Sequence, residues 1–384
     1  MNEESFILIL SCTGGAGHLR AAEALHRTAP LTGLPIRTET YDVLDFTSAV
    51  FKRVYSESYL QVVKRAPELW GYLYLQSERR PYRKSGLLKL FDEVNYKNYL
   101  AALKRLRPAA IICTHFLPFI SVGEQLRRAG INAPLFAATT DFDVHQLWVN
   151  PFVQEYFVFH EESKYLLERK MTTSADITTT GIPVQPEFGT RIPASEARAK
   201  LGLQKNAFTV LVLAGGFGVG HLFEITRSIG AVMARLENRP FNLLVVCGKN
   251  PKAQSSINKL SMPHTIDMRV FGFVGNIHEL MDAADVLVSK SGGLTSAEAM
   301  AKQLPMLIID PIPGQEARNA DLLVEHGAGW KAPTPDHLEY KLQRLLQEPD
   351  LLVRARASAK SLGKPNAAQT ILRSVYRSIG GNPR

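Results

Sequence analysis

The sequence predicts an α/β protein built from two doubly wound, mainly parallel sheets. Three observations carry this expectation. Short apolar runs alternate with helical patterns nearly from end to end, as parallel βαβ units require. Each half opens with strand, glycine loop and helix: FILIL leads into SCTGGAGHL, and FTVLVL leads into AGGFGVGHL. Between the halves, IPVQPEFGTRIP (Ile182–Pro193) is dense in Pro and Gly and reads as a linker. Ligands of such sheets lie beyond the carboxyl ends of the strands, so two domains of this kind are expected to face each other across a cleft.

Taken in order, residues 1–190 form the first domain, with strands expected at Phe6–Cys12, Ile36–Val43, Ala109–Thr114, Leu135–Thr140, Tyr156–Phe159 and Ile177–Gly181. Residues 191–365 form the second, with strands at Phe208–Ala214, Phe241–Cys247, Met268–Phe273, Val286–Ser289 and Met306–Ile309. A last helix within residues 366–384 is expected to cross back to the first domain. At 384 residues the chain is long enough for two cores, and 45% apolar with 21% charged residues describes a soluble globular protein. Cys12, Cys113 and Cys247 sit in strand-like runs without motif spacing, so they read as reduced core residues of a cytosolic protein. MNEESFILIL shows no basic leader, and no apolar stretch is long enough to span a membrane.

The charge is unevenly placed. The segment 52–107 holds thirteen Lys or Arg and five acids, a surplus of +8 in a chain of net charge +9. Such asymmetry points to one anionic partner surface.

The two glycine loops are the first chemical signal. Gly14, Gly15 and Gly17 allow a sharp turn and close approach of a ligand to the backbone, and the following helix start offers unpaired N–H groups to an anion. Gly216 and Gly218 do the same in the second half. Neither loop completes a dinucleotide fingerprint, and neither is a P-loop. His18 is the unexplained residue, because neither turn geometry nor anion binding needs an imidazole there.

Downstream, SKSGGLTSAEA and PGQEARNA each place a glycine-bearing strand end against a helix start. Together with GGAGHLRAAEAL, TTDFDVHQLWVNP, TGIPVQPEF and GGFGVG, in this order, they resemble the diacylglycerol glycosyltransferases, a GT-B family of paired Rossmann-like domains. This family comprises monogalactosyldiacylglycerol synthases and bacterial diacylglycerol glucosyltransferases; the peptidoglycan lipid-linked N-acetylglucosaminyltransferase is more distantly similar. The resemblance implies donor binding by the second domain. There Ser291, Gly292, Gly293, Leu294 and Thr295 would meet the diphosphate and Glu298 the ribose. Phe273 and Val274 would hold uracil, and Gln315, Glu316 and Asn319 the sugar. Plainer readings stay open: a capped helix for Glu298, core for Phe273, and a helix start for Glu316.

For His18 the same resemblance implies the base that takes a proton from the acceptor hydroxyl, a task suited to an imidazole; a structural hydrogen bond is the alternative. Asp141 would orient His18 or assist it, while His145 and Trp148 would lie in the acceptor region. Asp141-Phe-Asp143 also spells D-x-D, but the other blocks favour a design in which helix N-termini rather than a metal neutralise the leaving group. No cofactor is expected beyond the donor substrate, with stimulation by Mg2+ or anionic lipid left open.

Around Trp70, the pairs Lys64–Arg65, Arg79–Arg80 and Arg83–Lys84 alternate with aromatics, as a membrane-docking surface does. The expected protein is therefore a peripheral enzyme of the cytosolic membrane face. It would move glucose or galactose from UDP-glucose or UDP-galactose to the 3-hydroxyl of diacylglycerol with inversion, and no nucleic-acid partner is expected. The alternatives are a UDP-N-acetylglucosamine 2-epimerase, another glycosyltransferase acting on a different acceptor, and a UDP-sugar sensor binding protein partners.

Overall fold

The computed structural model describes residues 6–13, 15–48, 52–53, 67–78, 98–118, 126, 129–171, 174–214, 221–236 and 239–381. Two compact units result: Met1–Pro186 with Lys364–Arg384, and Glu187–Gly363.

The first unit carries a six-stranded sheet of β1 (Phe6–Ser11), β2 (Arg37–Asp42), β3 (Ala110–Cys113), β4 (Leu135–Ala138), β5 (Val153–Val158) and β6 (Asp176–Thr179). Its order is β2-β1-β3-β4-β5-β6, and every pairing is parallel. Every residue of β1 is buried, as expected of a parallel strand covered on both faces. Helices α1 (Ala16–Thr28), α2 (Pro67–Glu78) and α3 (Glu161–Lys170) belong to this unit.

In the second unit, β7 (Phe208–Leu213), β8 (Phe241–Val246), β9 (Ile266–Phe271), β10 (Val286–Ser289), β11 (Met306–Ile308) and β12 (Gly329–Lys331) form another parallel sheet, ordered β12-β11-β10-β7-β8-β9. Read from β9, this is the strand order of nucleotide-binding doubly wound domains, and it reverses between β7 and β10. The helices are α4 (Ala194–Lys200), α5 (Leu222–Ala234), α6 (Pro251–Ile257), α7 (Ile277–Ala283), α8 (Gly293–Ala301), α9 (Gln315–Glu325), α10 (Pro335–Gln347) and α11 (Pro349–Leu362). Buried inside this unit, Lys302 pairs with Asp282 at 2.8 Å and also donates to the Thr190 carbonyl, which fixes the start of the chain segment entering the unit.

The chain then enters the first unit again as α12 (Ala367–Ser378), which packs on α1. Ala368, Ile371, Leu372 and Val375 recur at helical spacing and bury against Ile7, Ile9 and Leu25. Gly181, at φ 90°, lies directly against the Lys364 side chain where the chain re-enters. Only glycine readily takes that conformation, and a side chain there would collide.

Three expectations shift. β12 was not expected: it is three residues long, starts on glycine and pairs only at the sheet edge. β5 begins three residues before Tyr156, beyond the turn that Asn150 closes by accepting from the Phe152 N–H. β9 ends at Phe271, two residues before Phe273. The three cysteines are free and buried. Among the described residues no helix is long and apolar enough to cross a membrane.

Candidate active site

In the first unit the site is built where β1 hands over to α1. The turn is pinned by β2: Asp42 accepts from the Thr13 N–H at 3.1 Å and from the Leu44 N–H at 2.9 Å. Gly15 precedes α1 in an extended conformation, and no acid or capping side chain occupies the first turn. His18 stands there, half-buried, and its ring reaches the ends of the neighbouring strands. Its Nδ1 lies 3.0 Å from the Thr114 carbonyl after β3 and 2.7 Å from the Thr140 hydroxyl after β4. The Thr114 hydroxyl donates back to the His18 carbonyl at 3.0 Å.

A carbonyl oxygen can only accept, so Nδ1 carries the ring hydrogen. Nε2 is then left with its lone pair and has no hydrogen-bond partner among the described residues. Burial lowers the His18 pKa to about 4, partly offset by the Thr114 carbonyl. His115 meets the His18 ring edge-on at 4.5 Å, and burial, then the charge of His18, holds it well below the usual histidine range. Its Nδ1 accepts from the Leu117 N–H at 3.0 Å. The result is a neutral imidazole, fixed in one tautomer, with an unshared electron pair.

Several expectations change here. The partners that orient His18 are Thr114 and Thr140, not Asp141; Asp141 is half-buried just beyond them. His145 is engaged at both nitrogens. Nδ1 accepts from the Leu147 N–H at 3.1 Å, and Nε2 faces the Tyr74 carbonyl at 3.2 Å and Glu78 at 3.3 Å. Glu78 also takes Lys170 at 2.5 Å, so His145 ties α2 to the 141–148 loop. Trp148 is a core side chain, 3% exposed and edge-on to Phe116. Gly17 lies within α1, and Gly14 lies outside the described residues. His115, Thr114 and Thr140 were missed; the signal was a polar Thr-His directly after AIIC, and Thr-Thr directly after LFAA.

In the second unit, the turn after β10 leads into α8. The Ser291 hydroxyl donates to the Glu316 carbonyl at 2.6 Å, and the Asn319 amide donates to the Ser291 carbonyl at 3.0 Å. Asn319 is fully buried and braces this turn through that bond. Glu316 accepts from the Ile312 N–H at 2.7 Å, and burial raises its pKa against the opposing pull of that bond and of Lys290. Its Oε2 thus holds its own loop, while Oε1 faces Gly292 at the start of α8. Gly314, at φ 98°, makes the turn into Gln315.

Helix α8 begins behind Gly292 with no capping side chain and no acid in its first turn. The capped-helix reading of Glu298 therefore fails: this residue is buried further along α8, at 1% exposure. Gly293 and Leu294 are buried and Thr295 is half-buried, so the open groups at this end are backbone N–H groups. Phe273 is not core; it is 72% exposed, with Lys249 Nζ 5.9 Å from its ring centre, and Val274 beside it is half-buried. Gly216 and Gly218 lie outside the described residues.

Among the described residues no three His, Cys, Asp or Glu side chains stand together as metal ligands. Lys64, Arg65, Arg79, Arg80, Arg83 and Lys84 lie outside the described residues, as does the side chain of Trp70 on α2. Nearby on α2, Tyr72 and Leu75 are 60% and 49% exposed, while Gly71 and Tyr74 face inward.

Known proteins place this architecture. Residues 18–184 match the family model for monogalactosyldiacylglycerol (MGDG) synthase, and residues 209–371 match the glycosyltransferase family 28 C-terminal domain. The processive diacylglycerol beta-glucosyltransferase of Bacillus pumilus (strain SAFR-032) is 31% identical, over 98% of this chain and 95% of its own length. That of Bacillus subtilis (strain 168) is 29% identical, over 98% and 96%. Among solved structures, Acinetobacter baumannii MurG superposes with a TM-score of 0.65 at 15% identity, covering 97% of this chain and 99% of that one. That likeness assigns the fold, GT-B. With two sheets of this order, a tethered histidine after the first strand and both halves matched in sequence, the chain belongs to the diacylglycerol glycosyltransferases of family 28.

Proposed function

We propose that this chain transfers a hexose from a UDP-sugar to the 3-hydroxyl of 1,2-diacylglycerol at a cytosolic membrane surface, with inversion at the anomeric carbon. The observation that carries the reading is the His18 imidazole: Nδ1 is tethered by Thr114 and Thr140, and Nε2 keeps its lone pair. In the reaction the acceptor oxygen bonds to the anomeric carbon and its proton passes to Nε2. The bond from that carbon to the phosphate oxygen breaks, and its electron pair leaves with UDP. The uncapped start of α8 and Lys290 supply positive potential for that departing charge. Glu298 accepts from the ribose hydroxyls. No step requires a metal, and Mg2+ or anionic lipid would act only as stimulants.

Glucose is the donor to test first, because the relatives named above are beta-glucosyltransferases; galactose is the second. Membrane docking is supported by the +8 surplus over residues 52–107 and by exposed Tyr72 and Leu75 on α2. The test is incubation of purified protein with UDP-glucose or UDP-galactose and vesicles containing diacylglycerol, following UDP release and glycolipid. Turnover should fall by about 10²–10⁴-fold in His18→Ala while UDP affinity is kept. Undiminished glycolipid synthesis by that variant would remove His18 from the role. Absence of glycolipid from wild-type protein with either donor would remove the acceptor.

A further inference from the structure

The second unit holds a cavity at the end of its sheet opposite to the donor groups named above. Phe208 opens β7 and Asp285 directly precedes β10, so the cavity lies at the amino ends of these strands. The six residues of β7, about 20 Å, separate it from the carboxyl end of the sheet. Its volume is about 410 Å³, within the range of about 300–1,000 Å³ usual for sites of small organic ligands. Leu345 and Leu346 at the end of α10, with Leu352 and Val353 on α11, give it an aliphatic wall. Leu345 and Leu346 are buried, whereas Val353 is 67% exposed and stands at the mouth.

Charge completes the lining. Arg239, Arg356 and Lys360 line the same cavity, and Asp285 is the one acid among its described lining residues. That carboxylate is already engaged, since Oδ2 takes Arg198 at 2.6 Å and the Thr209 N–H at 2.9 Å. Arg356 reaches Oδ1 only at 3.3 Å, and Lys360 has no ion pair among the described residues. Burial, the largest cause, lowers the Arg356 pKa; Asp285 opposes this, and Arg191 and Arg198 add to it. Arg239 lies over the rings of Phe208 and Phe241, 5.8 and 5.7 Å from their centres, so the ring face of Phe208 turned to it is already taken. On α11, Val353, Arg356 and Lys360 recur at helical spacing and share one face, apolar near the start and cationic toward the end.

We propose that this cavity binds a monomeric aliphatic carboxylate of the fatty-acid class. The chain lies against Leu345, Leu346, Leu352 and Val353, and the carboxylate accepts from Arg356 and Lys360. A half-buried guanidinium beside two further arginines gains most from an anion, and a branched aliphatic wall gains most from a flexible hydrocarbon chain. An inorganic anion would engage the cations and leave the wall in water, while a neutral chain would do the reverse. The site shares no residue with the proposed donor groups and is independent of the UDP-sugar reading.

The test is calorimetric binding of decanoate to the full chain, with acetate as the chainless probe and decyltrimethylammonium as the oppositely charged one. Wild-type protein should bind decanoate saturably, and each control at least about tenfold more weakly. Arg356→Met with Lys360→Ala keeps the wall, removes both charges and should lose about tenfold or more in decanoate affinity. Val353→Glu, at an exposed position, sets a like charge at the mouth and should lose a similar amount. Both variants should still unfold cooperatively on heating and keep UDP affinity within about twofold. Absence of saturable decanoate binding overturns the proposal, as does equal binding of decyltrimethylammonium, which would mark an apolar surface without charge selection. Unchanged decanoate affinity in either variant overturns it too, because the chain then binds elsewhere. Phosphatidylglycerol vesicles are the last probe: if they bind through Arg356 and Lys360 while decanoate does not, the patch meets a membrane and the cavity is no fatty-acid site.

Discussion

Lowering the pH from 7 to 5 should weaken the first unit through His18 in particular. The native pKa lies near 4, against 6.5 for the unperturbed group. As pH falls through 6.5, the unfolded chain takes up a proton that the native ring refuses until about pH 4. Stability present above 6.5 is therefore lost across that window. The full shift corresponds to about 3 kcal/mol, and about 2 kcal/mol of it falls between pH 7 and pH 5. Part of the residue is open to solvent, so these are upper bounds. The assay is urea unfolding followed by tryptophan fluorescence in a Trp330→Phe background, which leaves Trp70 and Trp148, both in the first unit, as reporters. His18→Gln in the same background removes the titration while other groups continue to titrate. Its loss between pH 7 and pH 5 should be smaller than the parent's by up to about 2 kcal/mol. Equal losses would refute the argument that burial keeps His18 neutral.

Other perturbations separate packing from chemistry. Glu298→Ala should lose about 1–2 kcal/mol of UDP affinity and most of the preference for UDP over 2′-deoxy-UDP, measured by competition. Lys302→Met leaves Asp282 charged and buried without its partner, and should cost about 3–5 kcal/mol in urea unfolding; adding Asp282→Leu should recover most of it. In Gly363→Ala the new Cβ would press on the Met300 carbonyl, where backbone cannot yield cheaply. A loss of about 1–3 kcal/mol, read as a lowered Tm, follows. Tyr72→Ser with Leu75→Ser should weaken binding to anionic vesicles by roughly tenfold or more without changing UDP affinity, since each side chain is worth roughly 1.5–3 kcal/mol when fully buried.

The sheets were legible because parallel strands covered on both faces must be short apolar runs, and FILIL, FTVLVL and FNLLVV are such runs. β12 was not, because GWK has no such signature and is ordered by its pairing to β11. The position of His18 could be read from its place after a strand and a glycine loop. Its orienting partners could not, because Thr114 and Thr140 lie 96 and 122 residues away and are recruited by strand order alone. The partners of His145 were hidden for a related reason. A polar residue at a strand end is compatible with a site, but Glu78 and Tyr74 claim His145 through a contact 71 residues away that local pattern cannot show. The bond from Asn319 to the Ser291 carbonyl, 28 residues away, is likewise invisible to local pattern.

A pKa near 4 also constrains when the proton can move in the proposed reaction. An alkyl hydroxyl is about as weak an acid as water, whose pKa is 15.7. Full transfer to His18 before attack would therefore be uphill by roughly 12 units, or ~16 kcal/mol. Once the acceptor oxygen has bonded to the anomeric carbon, it carries positive charge and becomes a strong acid, and even a weak base takes its proton readily. Proton transfer must then accompany or follow bond formation, and the task of His18 is to hold a lone pair at the acceptor oxygen while that bond forms. Such a task asks for neutrality and fixed orientation more than for basicity. Burial supplies the first, and the Thr114 carbonyl with the Thr140 hydroxyl supplies the second.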